Sequence, residues 1–227
     1  MEEKDMDDFI NSTFDNMWLT EKEQKVRKYK YLNQFVKKGE IVMVGSSLMD
    51  NFPINELQQD FEIEKTIYNR GISGYVTTEL LTSMEECIFE LEPSKIFINI
   101  GTNDIASAGY KLENLISNYT NILSQIKKRL PSCEVYVMAY YPINPKADYG
   151  LAVEAKDAMF KTRTNENILL ANKAVQNLAT ELDYKYIDVN EGLTDEEGNL
   201  KENFSIEGLH MWPNAYAIIL NNLKKYF

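Results

Sequence analysis

Short apolar runs, each closed by a turn and followed by a stretch of helical period, recur along most of this chain, and no other feature constrains its fold so tightly. Glu40-Ile41-Val42-Met43-Val44 ends at Gly45, and Ile96-Phe97-Ile98-Asn99-Ile100 is bounded by Pro93 and Gly101. Val135 to Ala139 and Tyr186 to Val189 are two further runs, and Ile63 to Tyr68 is a weaker one. Between and after them, apolar spacing predicts helices over 77–91, 112–130, 165–182 and 214–226. A strand that is apolar on both sides must be covered on both sides, and strands alternating with helices build parallel sheets. The expected fold is therefore α/β: a three-layer α/β/α sandwich around a five-stranded parallel sheet of flavodoxin-like type. In such sheets ligands sit at the carboxyl ends of the strands, so the residues just after each run are the ones to read for chemistry.

The 227 residues are 44% hydrophobic, enough apolar material for a core without a disulfide or metal staple. Residues 1–38 are polar and carry Phe14, Met17, Trp18, Leu32, Phe35 and Val36 at helical spacing. This predicts an N-terminal helical extension packed on the domain, with 39–227 as a single catalytic-size domain. The same extension is also suited to pairing two copies, so a homodimer stays open. A formal net charge of −11 argues against nucleic acid as a partner, because phosphate binding needs clustered Lys and Arg. The local basic run Lys127-Lys128-Arg129 closes a helical pattern, where it complements the helix dipole. Cys87 and Cys133 lie far apart in apolar contexts and read as buried thiols of a reducing compartment. The acidic start, Met1-Glu2-Glu3-Lys4-Asp5, has no signal-peptide character, and no run approaches membrane-spanning length. The expectation is a cytoplasmic protein without membrane insertion.

Polar, glycine-containing turns follow the runs. They are Gly45-Ser46-Ser47-Leu48, then Asn69-Arg70-Gly71-Ile72-Ser73-Gly74, then Gly101-Thr102-Asn103-Asp104, and near the end Glu207-Gly208-Leu209-His210. Ester cleavage needs a hydroxyl nucleophile, a base, a group that orients the base, and donors for an oxyanion. Ser47 supplies the hydroxyl. His210, the one histidine of the chain, supplies the base, and Glu207 three residues earlier can fix its tautomer. Glycine N–H groups and the Asn103 amide can serve the oxyanion. A turn serine alone or a lone histidine alone is ordinarily structural; their joint occurrence at successive strand ends is what points to catalysis.

These segments, in this order, resemble blocks I, II, III and V of the SGNH/GDSL hydrolases, over about residues 40–227. The branch resembling platelet-activating-factor acetylhydrolase subunits is closest in the Gly-Ser-Ser and Gly-Thr-Asn-Asp segments. The resemblance implies Ser47 as nucleophile, His210 as base, and an oxyanion hole made by the N–H groups of Ser47 and Gly74 with Asn103. It implies a serine esterase cleaving small acyl esters through an acyl-enzyme, with no cofactor and no metal. Two positions depart from the family pattern. Gly-Asp-Ser of block I reads Gly45-Ser46-Ser47, and Asp-x-x-His of block V reads Glu207-Gly208-Leu209-His210. Either Glu207 or a backbone carbonyl orients His210.

Rival readings are an idle binding module on the same fold and a thioesterase or acyltransferase using the same site. Signatures of other chemistries are missing: no Gly-x-Ser-x-Gly elbow, no Walker A segment, no dinucleotide fingerprint, and no metal-ligand spacing. The polar segment from Pro142 to Arg163 follows the fourth strand and is either a lid or a surface loop. Tyr140-Tyr141 and Met211-Trp212 are candidates for the pocket wall, with core packing as the alternative for Trp212.

Overall fold

The computed structural model describes residues 20–227. Phe14, Met17 and Trp18 of the expected N-terminal helix lie outside the described residues. In chain order the elements are α1 (residues 20–32), β1 (Ile41–Gly45), α2 (Ser47–Asp50), α3 (Ile54–Asp60), β2 (Ile67–Gly71), α4 (Thr77–Thr82) and α5 (Met84–Cys87). There follow β3 (Lys95–Asn99), α6 (Thr102–Ala106), α7 (Leu112–Arg129), β4 (Glu134–Met138), α8 (Val153–Phe160), α9 (Asn165–Glu181), β5 (Lys185–Ile187) and α10 (Pro213–Leu223).

The strands form one five-stranded sheet in the order β2-β1-β3-β4-β5. Every neighbouring pair is parallel, which is the flavodoxin-like order the sequence predicts. Val42, Met43 and Val44 of β1 and Ile96, Phe97 and Ile98 of β3 have no exposed surface, as two-sided coverage requires. That coverage comes from helices: α4 packs against α7 and α7 against α9, while α10 packs against α3.

Several expectations are corrected. The weak strand begins later than its apolar pattern suggests, at Ile67, and runs on through Asn69 and Arg70 to Gly71. These polar residues stay in register with Met43 and Val44 because their side chains find partners. The Asn69 amide donates to the carbonyls of Met49 and Phe52, and the Arg70 guanidinium donates to the Asn33 side chain. The helix expected over 77–91 is broken at Ser83, whose hydroxyl donates back to the Glu79 carbonyl and competes with the helical ladder. Of the two thiols, Cys87 is buried but Cys133 is only partly so, and both are free.

Helix α1 lies against the β2 edge by a polar face. Lys22 pairs with Glu79 and Lys25 with Asp50, while the Tyr29 hydroxyl donates to the Gly71 carbonyl. Of the apolar residues expected to anchor this region, Val36 packs on the core as expected, but Phe35 is 84% exposed and Leu32 42%, and Tyr29 and Val26 supply the rest of the packing. Among the described residues no helix is long and apolar enough to cross a membrane. Nor do any three His, Cys, Asp or Glu side chains cluster there as a metal site.

Candidate active site

A parallel sheet brings the carboxyl ends of its strands to one edge, and the four polar turns meet there. Ser47 opens α2 immediately beyond β1, and its side chain is buried at the base of a pocket of about 810 Å³. The Ser47 Oγ lies 2.9 Å from His210 Nε2. On the other side of the ring, Nδ1 is hydrogen-bonded to Glu207 Oε1. An ionised carboxylate only accepts, so Nδ1 must carry the proton and Nε2 is left to accept from the serine hydroxyl. That is the tautomer in which an imidazole can take a proton from serine.

The turn carrying both residues is locally determined. A bridge between Ser205 and Met211 closes it, and the Gly208 N–H donates to the Ser205 hydroxyl at 2.7 Å. The same Glu207 Oε1 also accepts the backbone N–H of His210 at 3.2 Å. One carboxylate oxygen therefore fixes both the turn and the ring, a reach that the extra methylene of Glu permits. Burial alone would raise the Glu207 carboxyl, but the hydrogen bonds and charge of His210 outweigh it and hold it below the usual range.

Gly74 and Asn103 line the same pocket as Ser47 and His210. Among the described residues neither the Ser47 N–H nor the Gly74 N–H has a protein acceptor. The Gly74 loop is tied to the helix that Ser47 opens. Asp50, one turn after Ser47, accepts from the Ser73 N–H at 3.2 Å and from its hydroxyl at 2.8 Å. The close packing this needs explains Gly71, where a Cβ would lie 2.2 Å from the Asp50 nitrogen. On the third loop, Asp104 accepts the Thr77 N–H at 3.0 Å and so fastens Gly101–Asp104 to the start of α4. The Asn103 Nδ2 donates to the Tyr75 carbonyl at 2.9 Å, and its Oδ1 accepts from Arg163 at 3.0 Å.

Thus Ser47, Gly74, Asn103, Glu207 and His210, each expected from the sequence, are brought together. Other expectations on the pocket wall are corrected. Tyr140 and Tyr141 are buried in the core, and the Tyr140 hydroxyl donates to the Ile100 carbonyl. Met211 is buried and Trp212 half-exposed, and neither lines the pocket. The segment from Pro142 to Arg163 is neither a bare loop nor a separate lid. Its first residues are buried, it contains α8, and it delivers Met159 and Arg163 to the wall.

Sequence reasoning missed Arg163, Asp50 and Lys22. Asp50 carried one usable signal, its spacing of three from Ser47 on a helix face. Lys22 belongs to α1, and Arg163 lies 116 positions after Ser47, so only the fold relates them to the site.

A doubly wound parallel sheet with a Ser–His–Glu arrangement at its strand ends defines a class of α/β hydrolytic proteins. The chain belongs to the GDSL-like lipase/acylhydrolase family, whose model matches residues 49–218. That span begins just after Ser47 and includes Gly74, Asn103, Glu207 and His210. Among solved structures it is similar to a Streptococcus pneumonia protein named for platelet activating factor, at 30% identity and TM-score 0.85, covering 96% of this chain and 98% of that one. It is 26% identical over 197 residues to the N-acylneuraminate cytidylyltransferase of Escherichia coli O18:K1:H7 (strain RS218 / NMEC), covering 84% of this chain. The chain spans only 41% of that relative's length. It is also 25% identical over 178 residues to the isoamyl acetate-hydrolyzing esterase of Saccharomyces cerevisiae, covering 74% of this chain and 71% of that one.

Proposed function

We propose that this chain is a serine-dependent carboxylic ester hydrolase that cleaves small acyl esters through an acyl-enzyme. The observation that carries the reading is the unbroken line from Glu207 through the His210 ring to Ser47, with the serine hydroxyl 2.9 Å from an accepting nitrogen. His210 takes the Ser47 proton as the oxygen attacks the ester carbonyl. The tetrahedral oxyanion is met by the N–H groups of Ser47 and Gly74 and by the Asn103 amide. His210 then gives its proton to the leaving alcohol, and water repeats the sequence on the acyl-serine to release the acid.

The rival reading of an idle binding module rested on a carboxylate too long to serve the imidazole, and Glu207 meets the ring directly. A short acyl group is supported by similarity to a yeast protein whose name gives an acetate ester as its substrate. The pocket wall of Met159 and Leu209 beside Lys22, Asn51 and Ser73 offers both apolar and polar surface to the alcohol portion.

The test is labelling with a fluorophosphonate together with turnover of p-nitrophenyl acetate. A covalent adduct on Ser47, lost in Ser47→Ala along with nearly all turnover, is expected. Failure of the unmutated protein to form that adduct would sink the reading. Comparing oxygen esters with matched thioesters then separates the esterase from a thioesterase using the same site.

A further inference from the structure

Arg163 stands just before α9, and its guanidinium is committed to the loop that carries Asn103. Nε donates to the Thr102 carbonyl at 3.2 Å, Nη2 to Asn103 Oδ1 at 3.0 Å, and Nη1 to the Met159 carbonyl at 3.4 Å. The side chain is almost wholly buried, at 6% exposure. Its three acceptors are all neutral, and among the described residues it forms no ion pair. Burial pushes the guanidinium down to about 10, and the more distant charge of Glu207 works against that.

A cation placed this way is costly to bury, because neutral carbonyls do not replace both its water and a counter-charge. A neutral amide or an apolar side chain could close the same corner at less cost. What the guanidinium does that they cannot is dictate the state of one amide. A guanidinium has donors only, so the Asn103 atom facing it must be oxygen. The nitrogen is then the other end of the amide, and one of its hydrogens is taken by the Tyr75 carbonyl at 2.9 Å. The other hydrogen is left for an acceptor in the pocket that Asn103 lines.

We propose that Arg163 is a positioning residue for the oxyanion hole. It locks the Asn103 amide in the orientation that presents N–H to the tetrahedral oxygen, and by polarising the amide it makes that N–H a stronger donor. The favourable use of its charge comes when negative charge develops one amide away, in the transition state. This rests on the esterase reading above, with Asn103 as an oxyanion donor.

The test is a double-mutant cycle on p-nitrophenyl acetate with Arg163→Met, Arg163→Lys, Asn103→Ala and the combinations. Arg163→Met is expected to lower kcat by about 10- to 100-fold with KM within about twofold, the pattern of an interaction realised in the transition state. Arg163→Lys keeps the charge and loses the fork, so it should recover part of that loss. In the Asn103→Ala background, either Arg163 substitution should change kcat by less than about twofold, since the group it acts through is gone. Equal losses in both backgrounds, or an Arg163→Met enzyme with kcat intact, would overturn the proposal. If Arg163→Met does not fold, the Arg163→Lys pair of backgrounds carries the same comparison. An unmutated chain that neither turns over the ester nor is labelled on Ser47 ends the esterase reading itself. An active, labelled chain with additive Arg163 effects ends only the proposal.

Discussion

At the scale of single residues, the departure at Glu207 is the most instructive. A glutamate three positions before the histidine can bind its own turn and the imidazole through one oxygen, so the longer side chain is an alternative solution rather than a defect. Replacing it with Gln keeps the shape but removes the charge that balances the imidazolium. Glu207→Gln is expected to lower kcat by about 10²–10⁴-fold, by analogy with aspartate replacement in serine triads, and steady-state kinetics measure it. An almost unchanged rate would hand the orienting role to a backbone carbonyl. The pH dependence has a definite sign. The Glu207 carboxyl is held below its ordinary value of 4.5, so it stays ionised at neutral pH. Activity measured as kcat/KM should fall as pH falls through the acid range, because a protonated imidazole cannot accept the serine proton. The same depressed carboxyl contributes to folding stability above the ordinary carboxylate range, a contribution lost as pH falls below it. These residues were legible in the sequence as a candidate pair because identity and spacing single them out. Arg163 was not, because a lone arginine in a polar segment resembles any solvated arginine until burial is known.

At the scale of elements, the site depends on how closely α2 sits on the ends of β1 and β2. At Gly71 any Cβ meets backbone atoms of Asp50 and Met49 rather than a yielding side chain. Gly71→Ala must push α2 away, and α2 carries Ser47 at one end and the Asp50 that holds the Gly74 loop at the other. We expect a loss of about 1–3 kcal/mol, the range for overpacking a dense site, read from the urea midpoint, with a fall in kcat alongside. A normal midpoint with normal kcat would mean α2 tolerates the displacement. The long elements, α7 and α9, lie within one residue of their expected ends because apolar period is a local signal, joined at α9 by the Thr164 cap. The edge strand β2 was displaced, since its Asn69 and Arg70 are polar in composition and become strand residues only through partners on α2 and on the segments that follow α1 and α2.

At the scale of the whole molecule, an excess of carboxylates sits over a handful of exposed ion pairs. Exposed pairs such as Arg129–Glu85 and Lys146–Glu197 are worth about 0–1 kcal/mol each, whereas a net charge of −11 repels itself over the entire surface. Raising salt from about 20 mM to about 500 mM shrinks the screening length severalfold and should therefore raise Tm. A Tm that falls with salt would mean the ion pairs, including those docking α1, outweigh the repulsion. Turnover of a neutral ester should hardly respond. What the sequence by itself determined is the alternation that makes a parallel sheet, and the residue types waiting at its carboxyl edge. Both follow from short-range patterns: two-sided apolar runs, helical period, and turns of fixed composition. Only the tertiary structure decided which oxygen of Glu207 meets the ring, that α1 brings Lys22 to the pocket, and that Arg163 reaches Asn103. The Arg163–Asn103 contact joins residues 60 positions apart and the Glu207 contact turns on a side-chain rotamer, and no local pattern encodes either.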